Sequence, residues 1–369
     1  MGIDKLFDFL RRFNDLEVPY FVDSFKGHRI AIDGHAYGYR VFNGAHSGVV
    51  NRTNVFEMDV DRSDVRREWY RLTLKFIQFW ADEGVTPVFV FDGGAPPEKT
   101  KTKAKRISDV QKAEQAFLDL KAEKIPPNPQ RLKRARTLIC ESSSISKAEL
   151  AHYIDFISGM GLPCFSSTTE AEKMCSMLAI EGKVVGVYST DSDTLTHGCP
   201  LLLTSNRCEP YYTKDGIKHS TVIGFELSNV LKEIKMDYKS FLDLCIMAKC
   251  DYNREEAKTS GNRLGIQTSY KYLQQYGNYE TIIIYLRNKY NFEVLNRQRC
   301  LELFSITPSI DLMPIDQKEL ILDFDREVFQ KCSTSLLESV GLGFFRDSLE
   351  ETFQSLSQSK DLGYVRIPR

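Results

Sequence analysis

The sequence predicts an α/β fold in which a central, mostly parallel sheet is flanked by helices. Three short apolar runs predict buried strands, and they occur in HRIAIDG, TPVFVFDGG and KVVGVYS. The first run ends on Asp33 and the second on Asp92, while the third leads into Asp191 and Asp193. Because ligands bind at the carboxyl ends of strands in open α/β sheets, we expect these four side chains to face one site.

Helical periodicity and further apolar runs fill the chain between and after these strands. Residues 4–13 predict a short amphipathic helix, and residues 66–83 predict a longer one whose apolar side chains lie in the core. The segment 211–225 predicts a strand, and helices are predicted over 226–234 and 238–249. Prolines and serines make residues 107–147 the least regular part of the chain.

Composition limits the class of protein. The 369 residues suffice for one large domain or two, and a net charge of −1 means that nucleic-acid contacts must come from local basic patches. Nine cysteines at scattered spacings favour a reducing compartment over a disulfide framework or a zinc site. No apolar stretch approaches the ~20 residues of a membrane span, and the amino terminus shows no signal peptide. We therefore expect an intracellular protein without membrane contact.

The stretch TTEAEKMCSMLAIEGKVVGVYSTDSD concentrates acidic residues in one helix-strand unit. Thr169 followed by Glu172 predicts a capping box, which places Glu170 and Glu172 in the first turn of a helix that Gly182 ends. Asp191 and Asp193 lie two residues apart, so in extended chain their side chains point the same way.

Asp251 closes the helical stretch FLDLCIMAKCDY, and if it joins the other acidic residues, seven carboxylates converge. Like charges ~4 Å apart cost ~4 kcal/mol even at an effective dielectric constant of 20, so cations must lie among them. Oxygen ligands without paired His or Cys select Mg²⁺ or Mn²⁺, and such a cluster suits two-metal phosphodiester hydrolysis. The predicted metal ligands are Asp33, Asp92, Glu170, Glu172, Asp191, Asp193 and Asp251.

With these motifs in order, the chain from Met1 to Phe304 resembles the flap endonuclease family, the XPG-type structure-specific 5′ nucleases. The resemblance rests on MGIDKLFDFL, AIDGHAYGYR, VFVFDGGAPPEKTKTKAKR, TTEAEKMCSML, STDSDTLTHG and FLDLCIMAKCDY. It implies a PIN-like (5′ nuclease) domain in which the first four acidic residues surround one Mg²⁺ and the last three surround a second. The short carboxyl-terminal part suggests a divergent member, encoded by a large DNA virus.

The resemblance also implies residues that bind nucleic acid. Gly2 would lie near the active site, Tyr39 would stack on a base, and His46 stands where the family has an arginine. Arg71 would hold a phosphate, and Lys99 and Arg106 would reach from a helical arch to the scissile phosphodiester. Lys101 and Lys103 belong to the same basic run, which gives residues 98–136 a local charge of +7. Without the resemblance, Tyr39 fits core packing equally well, and the basic residues fit a solvated surface.

The resemblance divides the chain into five parts. They are a nuclease region at 1–106, a basic helical arch at 107–147, an internal nuclease region at 148–255, a degenerate helix-two-turn-helix DNA-binding region at 256–305, and a helical segment at 306–369. In the fourth part Gly265 and Lys271 are the predicted duplex contacts. Gln267 replaces the second glycine, which argues against the family's K⁺ site. In the last part Gly341 occupies the aliphatic anchor position of a sliding-clamp peptide, so clamp binding is not expected.

The predicted activity is hydrolysis at single-strand/duplex DNA junctions by two-metal catalysis, in replication, repair or recombination. Branched or nicked DNA with a 5′ flap or a free 5′ end would be the substrate, and the nucleus its location; a viral member would work in the host nucleus or at a cytoplasmic replication site. Two alternatives stay open from the residues alone. One is an mRNA-cleaving ribonuclease of the same architecture, and the other is a catalytically silent nucleic-acid-binding scaffold.

Overall fold

A single seven-stranded sheet organises the part of the chain that the structure describes. A computed structural model describes residues 2–123, 125–212, 218–262, 264–306, 314 and 319–356, with the backbone alone at 206–212 and 218. The strands are β1 (Val18–Phe21), β2 (Arg29–Asp33), β3 (Thr86–Phe91), β4 (Cys164–Ser166), β5 (Val187–Tyr188), β6 (Leu201–Tyr212) and β7 (Lys218–Glu226). Their order is β1-β7-β6-β5-β2-β3-β4.

The five strands β4, β3, β2, β5 and β6 are parallel, and β7 pairs antiparallel with both β6 and β1. The prediction of a mostly parallel α/β sheet is therefore confirmed. Strand β5 is short, but hydrogen bonds from the Val185 N–H to the Arg29 carbonyl and from the Ala31 N–H to the Gly186 carbonyl extend its pairing with β2.

Helices cover both faces of the sheet and form a separate helical region. They are α1 (Leu6–Leu10), α2 (Gly34–Arg52), α3 (Arg62–Ala81), α4 (Thr100–Ala122), α5 (Pro129–Ser142), α6 (Lys147–Gly159), α7 (Ala171–Ile180), α8 (Asp193–Thr196), α9 (Leu227–Glu233), α10 (Tyr238–Met247), α11 (Arg254–Thr259), α12 (Ile266–Tyr276), α13 (Tyr279–Leu286), α14 (Arg297–Phe304), α15 (Arg326–Ser339) and α16 (Arg346–Gln354). Single 3₁₀ turns occur at Val22–Phe25, Pro97–Lys99, Phe292–Leu295 and Gly343–Phe345. None of the described helices is both long and apolar enough to cross a membrane.

Alternate residues of the central strands pack into two different hydrophobic cores, one on each face of the sheet. On β3, Phe89 and Phe91 pack with the α2, α3 and α6 side, where Trp69 is fully buried, while Val88 and Val90 pack against Met174 and its neighbours on α7. This two-residue period is the reason that both faces of the sheet are apolar and covered. A third cluster joins α1 to the helices from α9 to α14.

Two expectations about local structure are wrong. Residues 107–147 are mostly helical rather than irregular, since α4 and α5 pack against each other as a hairpin. Residues 123–128 join the two helices. The Arg131 guanidinium closes this turn, because it donates a 2.6 Å hydrogen bond to the Leu120 carbonyl and lies 3.2 Å from the Glu123 carboxylate.

The second concerns the region 256–305. Gln267 lies in α12 with an ordinary helical conformation, whereas the positive φ of this turn belongs to Gly261, at 78°. The argument from Gln267 against a K⁺ site therefore does not hold. In the carboxyl-terminal segment 306–369, residues 307–313, 315–318 and 357–369 lie outside the described residues.

We predict opposite effects for two glycines of α2. Gly34 follows Asp33, and an added Cβ would lie 2.7 Å from the Phe91 ring that ends β3, whereas a Cβ at Gly44 meets open space. Gly34→Ala should lower the free energy of unfolding by about 1–3 kcal/mol through overpacking. Gly44→Ala should raise it by up to about 1 kcal/mol through helix propensity. Urea denaturation measures both, and a stabilised Gly34→Ala variant would contradict this packing.

Candidate active site

The fold brings the seven predicted acidic residues to one edge of the sheet. Asp33 is the last residue of β2, Asp92 follows β3, and the loops after β4 and β5 supply two pairs of carboxylates. Six of the seven side chains are buried, and only Asp92 is substantially exposed, at 40 %. The six buried residues are Asp33, Glu170, Glu172, Asp191, Asp193 and Asp251.

The innermost part of the site is formed by Glu172, Asp191 and Asp193, each of which offers a carboxylate oxygen within 4.8 Å of the others. Both carboxylate oxygens of Asp193 are buried and accept no hydrogen bond from the described residues. A buried carboxylate without partners is costly in a protein interior. An oxygen-only donor set with unpartnered carboxylates fits a divalent cation such as Mg²⁺.

Hydroxyl groups and amides orient these carboxylates. The Asp33 carboxylate accepts hydrogen bonds from the Ala36 amide (3.0 Å) and the Ser189 hydroxyl (2.9 Å). The Ser189 hydroxyl in turn accepts from the Asp191 amide at 3.0 Å. Asp193 is not in extended chain as predicted, because it begins α8. Its amide donates to Asp191 Oδ1 at 3.2 Å, which holds the two carboxylates on the same side.

The start of α7 also differs from the prediction. Glu170 rather than Thr169 is the N-cap residue, and neither supplies a side-chain cap. The cap comes from Asp92 on the neighbouring strand, whose Oδ1 accepts a 2.8 Å hydrogen bond from the Ala171 amide. One predicted metal ligand thus fixes the helix that carries another, Glu172.

Three basic side chains lie among the carboxylates. Lys99 Nζ contacts Glu170 and lies 3.4 Å from Glu172 Oε1, while its ammonium is 5.1 Å from the ring centroid of Tyr252. The Tyr252 hydroxyl donates a 2.7 Å hydrogen bond to Glu170 Oε2. This arrangement neutralises part of the acidic charge from the base of α4.

The other two basic side chains lie on Asp251. Arg106 is 3.3 Å from Asp251 Oδ2 and Arg254 is 3.2 Å from Oδ1. Arg254 also donates a hydrogen bond to the Gly2 carbonyl. Three cationic side chains therefore face seven carboxylates, which leaves the described site with an excess of negative charge.

Gly2 lies against the acidic residues. Its φ is 80°, and a Cβ added there would overlap Asp191 Oδ1 and lie 2.9 Å from Asp193 Oδ1. The next amide, of Ile3, donates a 2.9 Å hydrogen bond to the Ser192 hydroxyl. The amino-terminal backbone thus forms part of the wall of the site.

Two other predicted nucleic-acid contacts, Tyr39 and His46, lie in different environments. Tyr39 is half-buried, with its ring 6.4 Å from that of His35, and its hydroxyl interacts with the charges of Asp92 and Arg106. His46, by contrast, is buried and stacks on Phe42, and burial lowers its pKa to about 4. The structure therefore places His46 in the core, contrary to a role in phosphate binding.

The other predicted nucleic-acid contacts lie on or next to α3, α4 and α12. Lys101 is exposed at the base of α4 and pairs with Glu256 at 2.9 Å, and Lys103 acts on the charge of His35. Arg71 pairs with Glu68 one turn earlier on α3. Gly265 is the N-cap residue of α12 and Lys271 is exposed on that helix.

Several residues that shape the site were not predicted: Ser189, Ser192, Tyr252, Arg254 and His35. All five lie within three residues of a predicted acidic ligand in the sequence, which is the signal that could have found them. His35 acts on a different acidic residue from its sequence neighbour Asp33. Its Nδ1 accepts a 2.9 Å hydrogen bond from the Asp92 amide, and burial lowers its pKa, which keeps the ring neutral.

Burial and mutual repulsion raise the pKa of four acidic residues, Asp33, Glu172, Asp191 and Asp193. Burial, reinforced by the charge of Asp92, raises the pKa of Asp33 to about 7. Burial also raises the pKa of Glu172 and Asp193 well above the usual range, although the Lys99 ammonium opposes the shift. Burial alone would lower the pKa of Lys99, but the carboxylates of Glu172 and Glu170 raise it well above its usual value.

Comparison with known proteins shows a family relationship. Residues 1–113 match the XPG N-terminal domain and residues 161–251 match the XPG I-region. Flap endonuclease 1 of Entamoeba dispar is 28 % identical over 291 residues, which cover 79 % of this chain and 71 % of the relative. Flap endonuclease 1 of Glycine max is 28 % identical over 345 residues, which cover 92 % and 82 %.

A solved structure shows the same fold. The catalytic core of Rad2 in complex with DNA substrate superposes with a TM-score of 0.62 at 16 % sequence identity, covering 96 % of this chain and 100 % of that one.

We predict that metal affinity rises with pH. Cations need deprotonated carboxylates, and the metal-free folded protein holds a proton on Asp33 up to about pH 7. Mg²⁺ affinity in calorimetry should therefore increase between pH 5.5 and 8, with proton release. The same proton stabilises the folded state fully below about pH 3.8, and this contribution is lost as pH rises to about 7. In EDTA the thermal midpoint should fall across that window, less so in Asp33→Asn. Metal affinity independent of pH would contradict this coupling.

A second prediction concerns the contact at Gly2. Gly2→Ala should weaken Mg²⁺ binding at least about 10-fold, because the methyl group displaces Asp191. Gly27→Ala is the matched control, since Gly27 has nearly the same φ, 77°, but open space around its Cβ position. Equal metal affinity in the two variants would show that the overlap at Gly2 is relieved without cost to the site.

Proposed function

We propose that this chain, which belongs to the XPG-type flap endonuclease family, is a structure-specific 5′ nuclease acting on branched or nicked DNA with a 5′ flap or a free 5′ end. One observation carries the proposal. Buried carboxylates with unpartnered oxygens meet the base of a basic helical hairpin at the carboxyl edge of a parallel sheet. This arrangement combines cation binding with phosphate binding in one place.

Two Mg²⁺ or Mn²⁺ ions are the cofactors that we propose. Asp33, Asp92, Glu170 and Glu172 would hold one ion, and Asp191, Asp193 and Asp251 would hold the other. When bound, the ions supply water activation and charge stabilisation for phosphodiester hydrolysis. The unpartnered Asp193 oxygens support this assignment, because the protein offers no donor of its own to them among its described residues.

The basic side chains of α4 would bind the scissile phosphodiester. Lys99 and Arg106 already lie in the acidic site, where they partly neutralise Glu170 and Asp251. With the ions held by the carboxylates, both side chains would bind the negatively charged substrate, where fixed donors stabilise charge that develops in the transition state. The acidic residues thus hold the Lys99 and Arg106 side chains where the substrate phosphate would bind.

Tyr39 would stack on the base next to the scissile bond. The ring lies next to His35, and its hydroxyl interacts with the charge of Asp92, the exposed member of the acidic cluster. Stacking on one aromatic ring is worth ~1–3 kcal/mol per base, enough to hold an unpaired nucleotide in place.

We place this activity in the nucleus, a location that fluorescence microscopy of the tagged chain tests.

We predict that Asp191→Asn lowers the cleavage rate constant at least about 100-fold, since it removes a charge from the innermost carboxylates. Binding to the same substrate, measured by fluorescence anisotropy in Ca²⁺, should change less than about 3-fold. Asp8→Asn is the control, because the Asp8 side chain on α1 is 71 % exposed and pairs with Arg11 rather than with the acidic cluster.

The substrates for this assay are labelled 5′-flap, nicked, blunt and single-stranded RNA molecules with Mg²⁺. Preference for the 5′ flap is the expected result. Faster cleavage of unstructured RNA would replace the proposal by a ribonuclease of the same architecture. Binding without any cleavage would leave a silent scaffold.

A further inference from the structure

A row of four tyrosines runs over α12, α13 and the turn after them. The rings of Tyr285 and Tyr276 stack with centroids 4.9 Å apart and planes 21° apart. Tyr276 then lies 6.2 Å from Tyr272, and Tyr272 lies 6.4 Å from Tyr290. We call these four side chains the tyrosine row. They come from two helices and one turn, so the row is a product of the tertiary fold.

Tyr290 lies at a half-buried end of the row and Tyr285 at its exposed end. Tyr272, Tyr276 and Tyr290 pack partly against the apolar cluster of the surrounding helices. Tyr285 does not belong to that cluster and is 65 % exposed, and its neighbour Ile284 is 69 % exposed. Since one face of the Tyr285 ring meets Tyr276, the exposed surface includes the opposite face. A planar group can therefore extend the stack from outside.

Basic side chains lie near the tyrosine row. The Lys289 ammonium lies 5.4 Å from the ring centroid of Tyr290, and residues 266–291 carry three basic side chains and one acidic one, a local charge of +2. The acidic side chain, Glu280, is 3.5 Å from Arg297 and so is already paired. Planar rings next to cations suit a ligand that has flat bases and phosphates.

We propose that the tyrosine row binds unpaired bases of nucleic acid, with a base stacked on the outer face of Tyr285 and a phosphate held by Lys289. The identity of the strand rests on the proposed function, because a junction substrate is the source of unpaired bases. An aromatic groove also suits proline-rich peptides, but such a ligand has no need of the neighbouring cations. The row would give the enzyme a second binding site for single-stranded substrate, outside the acidic site.

The test is the affinity of the full chain for fluorescein-labelled oligothymidine, measured by anisotropy in EDTA so that no cleavage occurs. Tyr285→Ala should weaken single-strand binding about 5- to 150-fold, the equivalent of one lost stacking contact. Tyr285→Phe keeps the ring and should stay within about 2-fold of the unmodified chain. Lys289→Gln should lower the salt dependence of binding by about 0.7 in the log–log slope.

Two controls separate this site from general effects. Phe344→Ala removes another exposed aromatic ring, which is 74 % accessible and packs at a tilt against Phe345, and should leave oligothymidine binding unchanged. Binding of Tyr285→Ala to blunt duplex should also stay unchanged, and its thermal midpoint reports whether the variant folds. Equal losses for single strands and duplex, or no loss in Tyr285→Ala, would overturn the proposal.

Failure of this proposal is distinct from failure of the proposed nuclease. If Tyr285→Ala binds oligothymidine normally while the unmodified chain cleaves a 5′ flap with Mg²⁺, the tyrosine row is not the site and the nuclease stands. If the unmodified chain cleaves nothing but loses single-strand affinity in Tyr285→Ala, the row binds bases and the nuclease assignment is wrong.

Discussion

Repulsion among buried carboxylates is the constraint on which the arrangement of this protein depends. The parallel strands end at one edge, so the side chains that follow them are forced into the same small volume. Charges so placed need fixed partners or bound cations. The three basic side chains on Glu170, Glu172 and Asp251 meet this need only in part, and Asp193 has no partner in the described structure.

The surrounding elements hold this arrangement in register. Phe89 and Phe91 pack under one face of the sheet and Val88 and Val90 under the other, so β3 cannot slip without exchanging its two cores. Short connections join the acidic residues to these strands, so the positions of the carboxylates are fixed together with the sheet. The basic hairpin of α4 and α5 is attached to the same edge through Lys99, at the point where α4 begins.

The acidic residues that end or follow β2, β3 and β5 were predictable, because at each of these positions an apolar run that leads into an Asp predicts a buried strand. The seven positions and the mostly parallel sheet followed from this pattern and from the family resemblance. Longer-range contacts were not predictable. The cap of α7 comes from Asp92, which accepts a hydrogen bond from an amide 79 residues later in the sequence, and His46 is buried against the Phe42 ring. The prolines and serines of residues 107–147 also predicted an irregular segment, whereas helices occupy most of it and are interrupted only between Ala122 and Pro129 and between Ser142 and Lys147.

The exposure of Asp92 has a kinetic consequence. Six carboxylates are sealed by the fold, but the seventh faces solvent while one of its oxygens is engaged by the Ala171 amide. In a site that binds Mg²⁺ as proposed, the other oxygen, 3.7 Å from His35 Nδ1, would be the carboxylate oxygen that an ion reaches from solvent. The loss of hydration water, which Mg²⁺ gives up reluctantly, would then set the rate of loading.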